Sequence, residues 1–338
     1  DRFKVGINPQ HVVPSWDMRT LWVANNAERR KDGSLNAIDP KTGKAGPGIP
    51  VDDPYNMYFS PDGKYAIIVA EELKRLDFRD PQTMKMQFAI SVRRCGGINH
   101  ADFSIDGTFA LFTCEFDGAV VKIDLVNRVV LGTIMLTPFY ERPDVVAQLA
   151  AFEGKNKKKP VTVIDSPETG GAICAAAGMP QDIRISPDGH EFFVADMRAD
   201  GVFVIDGATF RETGFIATGK GTHGLYPSRD GRKLYVANRG SNEVHGHTHG
   251  HGSVSVVDFA THRIEANWPI PGGGSPDMGN VSGDGRTLWL SGRYDDVVYV
   301  FDTTTGAVKT IKVGMEPHGL AVWPQPGRYS LGHTGNMR

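Results

Sequence analysis

A short run of histidines is the part of the sequence with the most evident chemistry. Residues 244–252 read Val-His-Gly-His-Thr-His-Gly-His-Gly, so that His245, His247, His249 and His251 alternate with small residues. Neutral imidazole is the most common protein ligand for transition metals, and short His-rich tracts are typical of metal binding. Because no cysteine lies nearby, the ligand set favours zinc, copper(II) or nickel over copper(I). The alternative is a flexible polar loop that binds nothing.

More histidines and aspartates recur at equivalent positions of a repeated pattern. Aligning the copies on their Asp-Gly turns gives two adjacent columns, the first reading Gln10, Tyr55, Asn99, Gln181, His223, Asp277 and His318, and the second His11, Asn56, His100, Asp182, Gly224, Met278 and Gly319. His and Asp together are competent ligands for zinc or copper. The columns therefore predict a metal site or, alternatively, histidines that only bond to a neighbouring backbone.

A third set of polar residues follows the second strand of each repeat. It comprises Asn26, Glu71, Glu115, Arg239 and Arg293, with Arg198 one step further on and His333 in the last, shortened copy. We expect the carboxylates to lie across a shared opening from the arginines. Such an opening could hold a metal ion on one side and an anion on the other, or the charges could simply form a ring of ion pairs.

The elements that must position these residues are short strands. Alternating runs such as LYVAN (234–238) and SVSVVD (253–258) recur with a period of about 40–45 residues, which is typical of β-propeller blades. We predict one all-β domain over residues 1–338, with seven four-stranded antiparallel blades. The N-terminal FKVGI (3–7) would complete the last blade and close the ring.

Blade topology predicts where the two histidine groups lie. In a four-stranded up-and-down blade, the connection after the second strand shares a face with the start of the first strand, which lines the axis. We therefore expect the His-rich loop 244–252 to project beside the column residues, at one mouth of the central channel. Metal could then pass from the loop to His100, Asp182, His223, Asp277 and His318, with His11, Glu71 and Glu115 as further ligands and Asn56 nearby.

The chain resembles the YVTN/YncE-like seven-bladed propellers. The resemblance is carried by YVANRGSN (235–242), SVSVVDFAT (253–261), SPDG (60–63 and 186–189) and EPHGLAV (316–322), and it spans nearly the whole chain. It implies the propeller fold and, because many members are exported, a location outside the cytoplasm. Members serve unrelated tasks, so the resemblance assigns no activity.

One segment, 137–177, fits no blade and is predicted to be an insertion between the third and fourth blades. Residues 142–152 are expected to form a short amphipathic helix, in a lid, a partner surface or a solvated loop. Of the three cysteines, Cys95 and Cys174 either form a disulfide between consecutive units or remain free thiols. Cys114 is expected to be a core thiol within a strand.

Composition excludes several classes of protein. The net charge of −2 gives no indication of nucleic-acid binding. The sequence contains no run of 18 apolar residues, so it does not predict a membrane span. A chain that starts at Asp1 agrees with a signal peptide already removed, or with a cloning boundary. We expect a monomer located in the periplasm or secreted.

From these observations we favour a non-catalytic function. The chain would capture zinc or copper with its His-rich loop, and hold the metal at the channel mouth or pass it to a metal-transport or metal-receiving protein. The first alternative is a metal-dependent lactonase, lyase or hydrolase at the same mouth, using Glu71, His100, Glu115 and Asp182. No Gly-x-Ser-x-Gly sequence supports acyl transfer. The second alternative is a protein-interaction scaffold.

Overall fold

A computed structural model describes residues 2–28, 32–137, 178–243 and 250–325, and the backbone of two short strands, Ile164–Asp165 (β13) and Ala172–Ile173 (β14). Every regular element in these residues is a β-strand. The helix predicted at 142–152 lies outside the described residues, as do His245, His247, His249 and His333. No helix in the described part of the chain is long and apolar enough to cross a membrane.

Twenty-four of the 26 described strands form six antiparallel sheets of four strands each, numbered here as blades in chain order, and β13 and β14 pair with each other. Blades 1 to 3 comprise β1 (Pro9–Pro14), β2 (Leu21–Asn25), β3 (Ser34–Ile38), β4 (Ala45–Pro50), β5 (Pro54–Phe59), β6 (Ala66–Ala70), β7 (Arg75–Arg79), β8 (Met86–Ser91), β9 (Ile98–Phe103), β10 (Phe109–Cys114), β11 (Ala119–Asp124) and β12 (Val129–Met135). Blades 4 to 6 comprise β15 (Pro180–Ile185), β16 (Glu191–Asp196), β17 (Gly201–Asp206), β18 (Arg211–Ala217), β19 (Thr222–Pro227), β20 (Lys233–Asn238), β21 (Ser253–Asp258), β22 (Ile264–Pro269), β23 (Pro276–Val281), β24 (Thr287–Gly292), β25 (Val297–Asp302) and β26 (Val308–Lys312). The prediction of an all-β propeller with four-stranded antiparallel blades is confirmed.

A Ser-x-Asp turn joins the first and second strands of every blade and accounts for the repeated sequence pattern. In blade 2, Ser60 Oγ donates to Asp62 Oδ1 at 2.7 Å and accepts the N–H of Tyr65 at 3.0 Å. Gly63 follows with φ +72°, a left-handed conformation in which a side chain would be strained. The same serine-to-aspartate bond recurs in the other five blades, at Ser15, Ser104, Ser186, Ser228 and Ser282.

The core lies between neighbouring blades, and polar bonds tie their innermost strands together. Tyr58 of blade 2 packs edge-on against Phe103 and Phe112 of blade 3, with ring centroids 6.0 Å apart in both pairs. Asp102 Oδ1 accepts the N–H of Phe103, while its Oδ2 accepts the N–H of Ile185 in blade 4 at 2.9 Å. Each such carboxylate fixes one inner strand against the next and holds the ends of these strands in register at the channel.

The prediction of seven four-stranded blades is wrong, because the described residues form six. The part of the seventh repeat that the structure describes, 314–325, contains no strand and lies between blades 6 and 1. Its Gly319 N–H donates to Gln10 O at 2.9 Å, and its Gln325 accepts a bond from Arg229 at 2.8 Å. Prolines at 324 and 326 cannot donate backbone hydrogen bonds, so the sequence there is a poor strand. The segment RYSLGHT (328–334) lies outside the described residues.

The N-terminal segment does not complete a seventh sheet. Gly6 N–H donates to Asn36 Oδ1 at 3.1 Å, and Ala27 N–H donates to Ile7 O at 3.2 Å. Both partners belong to blade 1 or to the loop that follows its second strand. FKVGI (3–7) therefore lies along the end of blade 1, and the expectation that it would close the ring with the last repeat is wrong.

Cys95 and Cys114 form a disulfide within blade 3. Cys95 lies in the turn before β9, and Cys114 ends β10, where it is paired with Ile98. Both cysteines are fully buried. Both alternatives for Cys95, a disulfide with Cys174 or a free thiol, are therefore wrong, and so is the expected free thiol at Cys114. Cys174 lies outside the described residues.

Candidate functional site at the channel mouth

The strand registers bring the starts of the inner strands and the ends of the second strands to the same face of the ring. In blade 5, Thr222 is paired with Asn238, and Asn238 is paired with Ser253. The end of β20 and the start of β21, between which the His-rich run falls in the sequence, therefore lie at the face where His223 begins the inner strand. His251, the one member of the His-rich run that the structure describes, is exposed and forms a backbone bridge with Gly274.

Three imidazoles meet at this mouth. The ring of His11 lies 5.4 Å from that of His100 and 4.9 Å from that of His318, and the Tyr55 ring is 5.0 Å from His11. His318 Nδ1 lies 3.2 Å from Gln10 O, and because a carbonyl only accepts, Nδ1 carries the proton. Burial, helped by the charge of Arg293, lowers the pKa of His318 to about 3. Its neutral ring thus offers Nε2 as an acceptor.

His223 and Asp277 form a buried pair contributed by adjacent blades. His223 Nδ1 lies 2.9 Å from Asp277 Oδ1, and both side chains are almost completely shielded from solvent. The contact is short, but the ring N–H is not well aligned with the oxygen, and Asp277 Oδ2 has no hydrogen-bond partner in the described part of the chain. Burial would raise the pKa of Asp277, but His223 and Arg239 hold it well below its usual range. The carboxylate is therefore ionised.

Two arginines lie beside this pair. Arg239 follows β20 and is buried, and its Nη2 donates to Tyr294 Oη at 2.7 Å. Arg293 follows β24 and is half-buried, with its guanidinium 5.8 Å from the centre of the Tyr294 ring. Burial opposes its charge, but Asp277 raises the pKa of Arg293. Among the residues with described positions, Arg293 has no hydrogen-bonded or ion-paired partner, so its donors can be used by a ligand.

Two carboxylates lie on the blade 2 and blade 3 side of the mouth. Glu115 is buried, and its Oε2 accepts a bond from Asn99 Nδ2 at 2.8 Å. Burial and then the charge of Glu115 raise the pKa of Glu71 well above its usual range. Tyr55 lies within electrostatic reach of both sides: burial, Glu71 and Glu115 raise its pKa, whereas Arg293 lowers it. The mouth therefore has an acidic side and a basic side.

Asp182, a predicted ligand, is engaged in contacts within and between blades. Its Oδ2 accepts the N–H of Leu225 in blade 5 at 2.9 Å, and its Oδ1 lies 3.0 Å from the buried Arg184 Nη1. It repeats the inter-blade bond made by Asp102. Burial raises the pKa of Asp182 to about 7, against the opposing charge of Arg184. With both oxygens engaged, Asp182 is placed to hold blades together.

The remaining predicted residues lie around this cluster. Asn56 Nδ2 donates to Tyr58 Oη at 3.0 Å and lies 3.4 Å from His100 Nδ1. Arg198 lies in the turn after β16, where its backbone N–H bonds to Asp196. Tyr294 and Arg184 are two participants that the sequence analysis missed. Tyr294 could have been found, because it occupies the position immediately after the arginine column.

A preformed metal centre is not present among the residues whose positions the structure describes. No three of their His, Cys, Asp or Glu side chains are arranged to hold an ion. His11 makes ring-to-ring contacts with His100 and His318, and Asp277 Oδ1 lies close to His223 Nδ1. The donor set at the mouth therefore does not fit a resident zinc or copper ion.

A separate pocket of about 260 Å³ lies on the opposite face, between blades 2 and 3. It is lined by Asp62, Tyr65 and Arg128 among others, beside the Ser-x-Asp turn of blade 2. The Arg128 guanidinium is 4.1 Å from the centre of the Phe88 ring and donates to Tyr65 Oη at 3.0 Å. Its polar groups are already paired, so we regard the channel mouth as the better candidate site.

Comparison with known proteins supports the fold. No family model and no curated protein matches the sequence. The hydrazine synthase of Kuenenia stuttgartiensis is 17% identical with a TM-score of 0.66, over 94% of this chain and 91% of that one. Virginiamycin B lyase from Staphylococcus aureus is 12% identical with a TM-score of 0.65, over 93% and 89%. The Cps50 (Swd1) β-propeller domain of Myceliophteria thermophila is 13% identical with a TM-score of 0.66, over 94% and 91%.

These similarities define the class of protein as a β-propeller. At such low identity they extend to the fold alone, and they attach no family name to the chain. The arrangement of charged side chains at the channel mouth must therefore carry any conclusion about function.

Proposed function

We propose that the protein is an enzyme that binds a carboxylate-bearing small molecule at the channel mouth and moves a proton there. The observation that carries this proposal is the buried His223–Asp277 pair with two arginines beside it. It develops the enzyme alternative from the sequence analysis, with a proton-transfer pair in place of a metal ion.

Each group in the mouth has a chemical role in this proposal. Because Nδ1 of His223 lies 2.9 Å from Asp277 Oδ1, Nε2 is the nitrogen that exchanges a proton with the ligand. Ionised Asp277 stabilises the imidazolium that forms. Arg239 and Arg293 bind the carboxylate, since a guanidinium matches a carboxylate with paired donors. Neutral His318 accepts a hydrogen bond at Nε2.

Proton removal next to a carboxylate is the reaction class that this set of groups fits best. A base takes the proton from carbon, and fixed positive charge stabilises the electron density that moves onto the carboxylate. Elimination, as performed by lyases, begins in this way. Two of the structural relatives are lyases by name, one acting on virginiamycin B and the other on streptogramin B. Their names agree with this class but do not identify a substrate.

Loss of one arginine should weaken carboxylate binding. We expect Arg293→Gln to reduce the affinity for small carboxylates by about 10–100-fold, because a hydrogen bond to a charged group contributes about 1.5–3 kcal/mol. Saturation-transfer NMR with a panel of 2-hydroxy, 2-keto and amino acids identifies binders, and titration calorimetry measures their affinity. The matched control is Arg286→Gln, an exposed arginine in the Ser-x-Asp turn of blade 6. Equal loss in both variants, or binding of none of these acids, contradicts the proposal.

An extracytoplasmic location remains part of the proposal. The Cys95–Cys114 disulfide supports it, because disulfides persist in oxidising compartments and are uncommon in the cytosol. The two cysteines are buried within one blade, so the bond would be a structural one.

Metal capture by the His-rich run is the second candidate function. It is supported by exposed His251 and by the position of the ends of the segment 244–249 at the channel mouth. In this proposal the run itself binds zinc or copper, and no step passes through the mouth.

Replacing His245, His247, His249 and His251 with Ser should lower the amount of zinc or copper bound and leave stability unchanged, because the imidazoles are the ligands. Elemental analysis after dialysis against each metal, with untagged protein, measures the stoichiometry. His190→Ser, which changes an exposed histidine in a turn at the other face, serves as the control. An unchanged metal content in the four-site variant would refute this function.

A further inference from the structure

The acidic side of the channel mouth lacks a cation. Within the described ranges, neither Glu71 nor Glu115 forms an ion pair with any Lys, Arg or His, and the bond from Asn99 is the sole hydrogen bond made by the two carboxylates. Burial and then the charge of Glu115 raise the pKa of Glu71, as described above. Two shielded carboxylates without a counter-charge are costly, and a bound cation would relieve that cost.

Asn99 supplies an independent observation at the same place. It is completely buried, and its Nδ2 is fixed by Glu115 at 2.8 Å. Its Oδ1 has no hydrogen-bond partner in the part of the chain that the structure describes. Because the two ends of an amide are joined at one carbon, this acceptor lies beside the Glu115 carboxylate. A buried acceptor of this kind usually has a partner.

The acceptors on this side match one kind of donor. Glu71, Glu115 and Asn99 Oδ1 are all oxygens, and a primary ammonium group carries three N–H donors. A divalent metal is the other cation to consider, but no three His, Cys, Asp or Glu side chains among the residues described are arranged to hold one. An ammonium group satisfies an amide oxygen and two carboxylates without strict coordination geometry.

The basic side lies within electrostatic reach of the acidic side. The charges of Glu71, Glu115, Arg293 and Asp277 all act on the phenol of Tyr55, so all four lie within electrostatic reach of that ring. On the basic side, the guanidinium of Arg293 and the Nε of buried Arg239 have no hydrogen-bond partner among the residues that the structure describes. A ligand that spans the mouth would meet acceptors at one end and donors at the other.

We propose that the ligand of the channel mouth is a zwitterion, with a primary ammonium group bound by Glu71, Glu115 and Asn99 and a carboxylate bound by Arg239 and Arg293. Free amino acids, ω-amino acids and short peptides belong to this class. The inference rests on the proposed function, because it adds a second charge to the carboxylate ligand.

Calorimetric titration of matched ligands tests the ammonium half separately from the carboxylate half. The probes are the common amino acids, ω-amino acids and dipeptides, each with its N-acetyl derivative and its C-terminal amide. We expect the best free zwitterion to bind at least 10-fold more tightly than its N-acetyl derivative. Glu115→Gln should remove most of that difference and leave the affinity of the N-acetyl derivative unchanged. Glu265→Gln, a surface carboxylate on β22, is the matched control and should have no effect.

The outcomes distinguish failure of the zwitterion inference from failure of the proposed carboxylate site. If the N-acetyl derivatives bind as tightly as the free zwitterions, or if they alone bind, the zwitterion inference is overturned while the carboxylate site stands. If no probe binds, both fail. If zinc, copper, magnesium or calcium binds and Glu115→Gln abolishes that binding, the acidic side is a metal site and the inference is also overturned. Folding of each variant is checked by its thermal unfolding curve.

Discussion

His223→Gln should slow proton exchange at the carbon next to the carboxylate of a bound ligand by about two to four orders of magnitude, the range typical of a lost general base. Glutamine keeps a polar side chain of similar length but cannot take up a proton. The measurement follows replacement of that hydrogen by deuterium in heavy water with ¹H NMR, using the tightest-binding acid found by titration. Binding affinity itself should change little, because the carboxylate is held by the arginines.

The control for this experiment is His190→Gln, which alters an exposed histidine in the turn between β15 and β16. With this variant, the hydrogen of the bound acid should exchange for deuterium at the same rate as with the parent protein. Asp277→Asn should also slow the exchange, since the amide cannot stabilise an imidazolium as a carboxylate does. If His223→Gln retains the parent rate with every bound acid, the His223–Asp277 pair is structural and the proton-transfer proposal fails.

Of the variants proposed here, removal of the disulfide should lower the free energy of unfolding the most. The double variant Cys95→Ala/Cys114→Ala should lose about 3 kcal/mol of unfolding free energy, because the bond closes a loop with a sequence separation of 19. Urea unfolding without reductant measures the loss. A thiol count on denatured, unreduced protein should find one free thiol of the three cysteines.

Cys174→Ala serves as the matched control for the disulfide and should change the unfolding free energy by less than about 0.5 kcal/mol. Three free thiols in the parent protein would show that the disulfide does not form. A double variant as stable as the parent would show that it contributes nothing. Because Glu115 directly follows Cys114, loss of the bond should also weaken ligand binding at the mouth.

Much of the fold was predictable because each blade repeats the same turn and the same alternation of buried and exposed residues along its strands. The Ser-x-Asp turns and the alternating strands of blades 4 and 5 are evident from the sequence, and the structure has them. The seventh blade was not predictable in the same way. Its first motif, EPHGLAV (316–322), is intact in the sequence, but the structure forms no strand over these residues, and Pro324 and Pro326 cannot donate the backbone hydrogen bonds of a strand.

The candidate site was predictable in part. Alignment put His223 and Asp277 in one column of consecutive repeats, and the structure brings them to 2.9 Å. The bonds of Asp182 to Leu225 of the next blade and to Arg184 could not be predicted from the alignment, because they depend on how neighbouring blades pack. The sequence did not indicate the disulfide between Cys95 and Cys114, because Cys114 is indistinguishable there from an apolar core residue of a buried strand.

The most direct test of the central claim is a crystal structure of the protein with its tightest-binding carboxylate ligand. We predict that the carboxylate oxygens lie about 2.7–3.2 Å from guanidinium nitrogens of Arg239 and Arg293, with a ligand C–H directed at His223 Nε2. Ligand bound only in the pocket beside Tyr65 and Arg128 on the opposite face, with none at the channel mouth, would contradict the claim.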